Sequence, residues 1–383
     1  MKYKKRAGLL TFHSAFNEGS ILQAYCLNQL IRKQLNLDAE IVDQNYKSRL
    51  DFYGSVFQSE RTIVLQDYIK KLPLSNQSFI DKDKETFDYI NRSYNCLFIG
   101  SDEVWKVKIP TKRLYPPFPN VYWPNKELRI PCLGYAVCIG DTDWEKLPNS
   151  ILYQMVESIK SFDLLGVRDS RTYNFLKWLD VVENYNISIT PDPALSVDFS
   201  NHLDLSLLKR KLVKLGVNFE KKRIGIYCPQ NPIIKKVIQY LKKREIQTIA
   251  ISDNCGDVDL CLSDVGFTPI EWAFIPHFMS YCISYRMHGC ISNIINNTPF
   301  IALDLRNKPE LSGKTKIHDL MESFHLHNYY WGNSMHDESD IINKCDMLID
   351  NNWPFKQIEL ILNNKREVAH NYFNNAKTII EKT

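Results

Sequence analysis

The chain has 383 residues, 44% of them apolar and 24% charged, with a formal net charge of +4 and no low-complexity tract. That length exceeds one ordinary core and points to two domains of a globular protein, while the near balance of charge gives no ground for a general nucleic-acid role. The ten cysteines include no C-x-x-C pair, so neither a zinc site nor a redox motif is expected, and Cys96, Cys228 and Cys282 inside apolar runs read as small reduced hydrophobes.

At the N-terminus Lys2, Lys4, Lys5 and Arg6 precede an apolar stretch too short for a signal peptide, and no later run approaches the length of a membrane span. Those cations read as solvated charge or as a means of surface association. Ala7 to Phe12 reads as a buried strand, and His13 to Ser20 as a polar turn. Ser20 and Gln23 form a capping-box pattern ahead of a helix over Ile21 to Gln34, and Ala39 to Val42 closes a first β–α–β unit. Gly19 suits a ligand-cradling loop and equally plain turn chemistry. Residues 46–94 mix helical periodicity with many charges and a break at Pro73 to Ser78, which reads as an excursion of helices outside the sheet. Cys96 to Gly100 is a short strand that stops at Ser101 and Asp102. Two polar side chains thus fall at a strand's carboxyl end, unless one of them caps a helix.

Residues 110–125 hold five prolines together with Tyr115, Phe118, Tyr122 and Trp123. This is a stiff loop that offers either a stacking platform for a sugar or packed filler. A strand over Arg129 to Cys138, a helix over Ile151 to Phe162 and a strand over Leu164 to Arg168 follow, so Arg168 sits at a strand end before the helix that opens at Asp169. In Thr190-Pro-Asp192-Pro193 the two prolines fix a turn and are expected to leave the Asp192 carboxylate exposed. Residues 198–222 are charged and helical and mark the domain junction.

A second alternation begins with a strand over Arg223 to Cys228. A helix over Ile233 to Lys243, a strand over Thr248 to Ser252 and a helix over Pro269 to Phe278 come next. The short strand at Ile283 then changes character at Arg286-Met287-His288-Gly289. Ile291, Ile294 and Ile295 fall on one helical face, Pro299 stops the helix, and Phe300 to Leu303 is the next strand. Amphipathic helices over Thr315 to Phe324 and Ile341 to Ile349, and one or two helices over Phe355 to Ile380, end the chain. In parallel α/β layers ligands collect at the carboxyl ends of strands, where Arg286 and His288 fall. The helix start favours an anion, Arg286 adds a charged fork, and His288 can move protons near neutrality. The alternative at this level is an arginine capped by carbonyls beside a histidine satisfied within the turn.

Taken together, Gly8-Leu-Leu-Thr-Phe-His13 with Asn17-Glu-Gly19 and Leu22-Gln-Ala-Tyr25, Phe98-Ile-Gly100-Ser101-Asp102-Glu-Val-Trp105, Gly134-Tyr-Ala-Val, Gly166-Val-Arg168-Asp169, Asp192-Pro193 and Arg286-Met-His288-Gly289 resemble, in order, the polysaccharide pyruvyl transferase family. The resemblance implies an α/β fold of the GT-B type, two Rossmann-like domains facing across a cleft. The expected domains are residues 1–200 on the acceptor side, with the helical excursion at 46–94, then residues 201–350 carrying the donor motif. Residues 351–383 are expected as a C-terminal helix packing back across both.

The resemblance further implies transfer of a pyruvyl group from phosphoenolpyruvate to two hydroxyls of a sugar, with a cyclic ketal and phosphate as products. The setting would be capsule or exopolysaccharide synthesis on a sugar acceptor that some relatives use in lipid-diphosphate form. The expected place is the cytoplasm, including the inner face of the membrane. Arg168, Arg286, Met287, His288 and Gly289 are expected to bind the donor, His288, Arg286 and Asp102 to serve catalysis, and Asn17, Gly19 and Ser101 to face the acceptor. No metal or other cofactor is expected. Two rival readings keep the fold but change the role: a glycosyltransferase using a nucleotide sugar, and a glycan-binding protein without activity.

Overall fold

Residues 4–55, 58–110, 115–305, 314–332, 339–350 and 352–382 are described in the computed structural model. Lys2 of the basic start and residues 111–114 of the proline-rich loop lie outside them. The chain divides into two compact units, one of Met1–Phe57, Gln66–Val197 and Asn364–Thr383, the other of Gln58–Leu65 and Asp198–Asn363.

The first unit carries β1 (Arg6–Leu10), α1 (Glu18–Leu35), β2 (Asp38–Asn45), α2 (Lys47–Gly54), the end of α3 (Glu60–Lys70), β3 (Leu74–Ile80), α4 (Asp83–Ser93) and β4 (Cys96–Ile99). It continues with β5 (Cys132–Val137), α5 (Asn149–Ile159), β6 (Leu164–Val167), α6 (Ser170–Trp178) and β7 (Ile187–Ile189). Seven parallel strands lie in the order β3-β2-β1-β4-β5-β6-β7. The direction of winding reverses between β1 and β4, which makes the crevice beyond their carboxyl ends the switch point of this sheet. The central strands are short apolar runs buried on both faces, as helices covering a parallel sheet require.

The second unit carries α7 (Leu205–Lys214), β8 (Arg223–Tyr227), α8 (Pro232–Lys242), β9 (Gln247–Ala250), β10 (Leu260–Cys261), α9 (Pro269–Phe274), β11 (Tyr281–Ser284) and α10 (Met287–Ile295). Then come β12 (Phe300–Asp304), α11 (Lys316–Ser323), β13 (Tyr330–Gly332), α12 (Asp340–Ile349) and the start of α13 (Phe355–Lys382), whose residues from Asn364 onward count with the first unit. Its parallel strands lie in the order β10-β9-β8-β11-β12-β13, with the switch point between β8 and β11. Ile291 and Ile294 of α10 have no exposed surface, so the apolar face of that helix is core.

Three expectations are corrected, and one left open is decided. Residues 46–94 are not purely helices outside the sheet, because Leu74–Ile80 forms edge strand β3 beside β2. The polar residues of that strand (SNQS) hid it, since an edge needs an apolar face only where it meets the core. The first helix starts at Glu18 rather than Ile21: Asn17 is its cap, accepting from the N–H groups of Gly19 and Ser20. Ser20 and Gln23 instead bond back to Phe12 O. The aromatic loop is packed: Trp105 stacks on Trp123 at 4.4 Å, its Nε1 donates to Tyr122 O, and Tyr122 and Trp123 are buried. The helix expected over Pro269 to Phe278 is α9 followed by a 3-10 turn over Ile275–Phe278.

Candidate active site

Strand order brings the chemistry-bearing residues of each unit to its own switch point. In the second unit β11 ends at Ser284, and the Tyr285 N–H donates to Tyr227 O at the end of β8. Arg286 follows as the cap residue of α10 in extended conformation, and its side chain does not cap the helix. The first N–H groups of a helix lack intrahelical partners, so this start presents donors and the positive end of the dipole. His288, half-buried, is in the first turn. Met287 is buried, which leaves its backbone N–H as the part that could serve an anion.

Gly289 is there for space. A Cβ at that position would lie 2.3 Å from Ser284 Oγ, and that hydroxyl both accepts from Arg286 N–H at 3.2 Å and donates to Arg286 O at 3.0 Å. The glycine therefore lets Ser284 tie the arginine's backbone to the strand end.

Sequence reasoning missed Asp253, just beyond β9. It pairs with Arg286 side-on, Nε to Oδ2 at 3.0 Å and Nη2 to Oδ1 at 2.7 Å. Since β9 and β11 flank β8, this pair spans the end of the strand at the switch point. Nothing in the segment Ile251-Ser252-Asp253 distinguishes it from a turn, so only the strand order reveals it.

In the first unit Asp102 stands at the end of β4 beside β1. Gly100 has φ +120, and a Cβ there would meet Tyr135 O at 2.1 Å, so only glycine permits this approach. Asp102 itself has φ +77 and its carbonyl accepts from Cys138 N–H, which pins the residue against β5. Its carboxylate is 17% exposed and lies 3.6 Å from Arg168 Nη1.

The Arg168 side chain is 1% exposed, with Nη1 donating to Asp192 at 3.2 Å. Burial alone would pull its pKa down, but the carboxylates Asp102, Asp192 and Asp169 around it hold the guanidinium firmly charged. Its Nε and Nη2 have no hydrogen-bond partner among the described residues. Asp192, expected exposed, is 2% exposed because it caps the turn Pro193–Leu195 and pairs with that arginine. Asp169 caps α6 through Thr172 and accepts from Cys138 Sγ at 2.9 Å; burial beside that carboxylate pushes the thiol well up.

Each of the three residues expected to face an acceptor takes part in a hydrogen bond within the first unit. Ser101 has no exposed surface and its hydroxyl donates to Gln23, which also bonds Thr11. Asn17 uses its carboxamide oxygen as a cap, and Gly19 is buried in the first turn of α1. The structure also assembles a pair that carried no assignment: His13 Nε2 lies 2.9 Å from Asp43 and its Nδ1 lies 3.1 Å from Thr11 O. Among the described residues no three His, Cys, Asp or Glu side chains group to hold a metal, and no helix is long and apolar enough to cross a membrane.

A family model described as polysaccharide pyruvyl transferase matches residues 17–307. No curated protein is similar enough to count as a relative. Among solved structures, the chain is similar to the UDP-GlcNAc 2-epimerase of Neisseria meningitidis bound to UDP-GlcNAc, with TM-score 0.59 and 10% identity over 99% of this chain and 100% of that one. A glycosyltransferase from Rickettsia africae gives 0.55 and 12% over 99% and 97%. The UDP-GlcNAc 2-epimerase of Methanocaldococcus jannaschii gives 0.55 and 9% over 91% and 94%. At these identities the likeness establishes the fold, a GT-B type with two Rossmann-like α/β units.

Proposed function

The chain belongs to the polysaccharide pyruvyl transferase family, and from that membership we propose that it moves the pyruvyl group of phosphoenolpyruvate onto two hydroxyls of one sugar in a polysaccharide precursor. The products are a cyclic ketal and phosphate. The observation that carries the donor assignment is Arg286 at the uncapped start of α10, with His288 in its first turn, at the switch point of the second sheet. Phosphoenolpyruvate bears a carboxylate and a phosphate on one carbon. A guanidinium and a helix start are both suited to such groups.

In the proposed sequence His288 is the proton donor, either to the methylene carbon of the enol or to the departing phosphate. Protonation of that carbon makes a methyl group and leaves its neighbour electrophilic. One sugar hydroxyl attacks there and gives up its proton to a base. The bond to the phosphate oxygen then breaks, the phosphate leaving with the electron pair beside the charge of Arg286 and taking up the proton that the base removed from the first hydroxyl. The second hydroxyl closes the ring, and its proton balances the one first donated. The steps balance with donor and acceptor alone.

The buried guanidinium N–H groups of Arg168 that have no hydrogen-bond partner among the described residues support an anion or ordered water near Asp102. The acceptor's lipid-diphosphate form and work at the inner membrane face belong to the same proposal.

The test is incubation of the purified protein with phosphoenolpyruvate and a panel of galactose, mannosamine and glucose derivatives, with and without a lipid-diphosphate aglycone. Phosphate release together with the mass gain of one pyruvyl ketal is the expected result. Thermal stabilisation by nucleotide sugars but not by phosphoenolpyruvate would replace this reading with that of a glycosyltransferase.

A further inference from the structure

Asp253 has no part in the proposed chemistry, yet it holds the side chain on which the donor assignment rests. Its two oxygens take the Nε and Nη2 edge of Arg286 at 3.0 and 2.7 Å, and the two side chains are 23% and 24% exposed. A carboxylate this close does two things. It fixes the plane of the guanidinium, whose fork is useful only in one orientation. It also offsets the positive charge that an incoming oxyanion would meet, at a depth where water screens the pair only in part.

We propose that Asp253 is a positioning residue for Arg286: an internal counter-ion that keeps the fork aligned before donor arrives and holds down the affinity of the site for oxyanions. The inference rests on the reading of this switch point as the donor site. Its chemical consequence concerns the end of the reaction. Phosphate released at the same corner carries the charge that Arg286 attracts, and a site without an internal carboxylate would retain it. By sharing the fork, Asp253 lets the guanidinium exchange one anion for another at little net change in charge, and product release stays fast. An arginine beyond the reach of any carboxylate would bind donor and product tightly alike, which adds nothing to turnover once the site is full.

The experiment is calorimetric titration of the full-length protein with phosphoenolpyruvate and, separately, with inorganic phosphate. Asp253→Asn and Asp253→Ala are expected to bind both anions about tenfold tighter than the unaltered protein, since the carboxylate that shares the Nε and Nη2 edge of Arg286 no longer competes for it. Asp253→Glu restores the carboxylate and is expected to return affinity toward the starting value, and Arg286→Ala to abolish the gain. Damage to the fold cannot produce tighter binding, so the direction of change separates this role from a structural one. Unchanged or weaker binding of both anions in Asp253→Asn and Asp253→Ala overturns the inference. Phosphate binding without phosphoenolpyruvate binding overturns the donor reading alone, because the variants are still judged on phosphate. Binding of neither anion by the unaltered protein or by the two variants overturns both.

Discussion

Single side chains decide what the two switch points can do. His288→Ala is expected to lower turnover at least about a hundredfold, the usual contribution of a positioned acid or base, while calorimetric affinity for phosphoenolpyruvate stays within a few-fold. Near-normal turnover in that variant would remove the proton-transfer role. In the first unit, burial alone would raise the pKa of Asp43, but the hydrogen bond and charge of His13, with Ser78 and Asn45, bring it below the usual carboxylate range. A depressed carboxylate stabilises the fold above its unfolded pKa of about 3.9, and that stability is lost as pH falls through the folded value. Acid unfolding followed below about pH 4 should therefore be shallower in Asp43→Asn than in the unaltered protein, and an equal slope in the two would remove this role. Arg286, His288 and Asp102 were legible in the sequence because each follows a strand pattern directly. Asp253 and the His13–Asp43 pair were not, since each joins residues brought together only by the order of the strands.

At the scale of elements, the runs that were easiest to read are those buried on one consistent face. Helix α10 was found through Ile291 and Ile294, and strands β4 and β6 through unbroken apolar runs. What escaped was β3, whose exposed central residues carry the composition of a loop, and the two- and three-residue strands β10 and β13. Helix α13 shows how much one polar contact can matter inside an apolar face. Tyr372 packs edge-on against Tyr135 at 5.0 Å, and its buried hydroxyl donates to Gly134 O at 2.6 Å. Tyr372→Phe keeps the ring and leaves that carbonyl without its partner, at a cost of about 1–2 kcal/mol in urea unfolding. A cost indistinguishable from zero would mean that water replaces the phenol.

For the whole molecule, the path of the chain matters more than its halves. The first unit is built from three segments and the second from two, so no single cut separates them. Glu60 and Val64 lie against Gly266, and the Arg61 N–H donates to Asp264 O at 3.0 Å, so a fragment starting at 201 lacks part of its own unit. The last helix is equally divided: Phe373 stacks on Tyr135 at 5.2 Å and approaches Phe98 at 6.2 Å, both in the first sheet. Truncation after Asn363 removes Tyr372 and Phe373, each worth about 3–5 kcal/mol as a buried aromatic. That is a large part of the roughly 5–15 kcal/mol by which domains are stable, so the truncated chain is expected to be insoluble or to melt far below the full one in calorimetry. An unchanged melting temperature would show that the first unit stands without this helix.

By itself the sequence determined the alternation of strands and helices, the family and the residues at strand ends, because these depend on local periodicity and on motifs of adjacent residues. Tertiary structure decided that the motifs after β4 and β11 each fall where the winding of a sheet reverses, and that Arg286 is paired while Ser101 is turned inward. It also decided that a terminal helix completes the first core. Those outcomes follow from which strands lie side by side, and hydrophobic patterning along one strand carries no record of its neighbours.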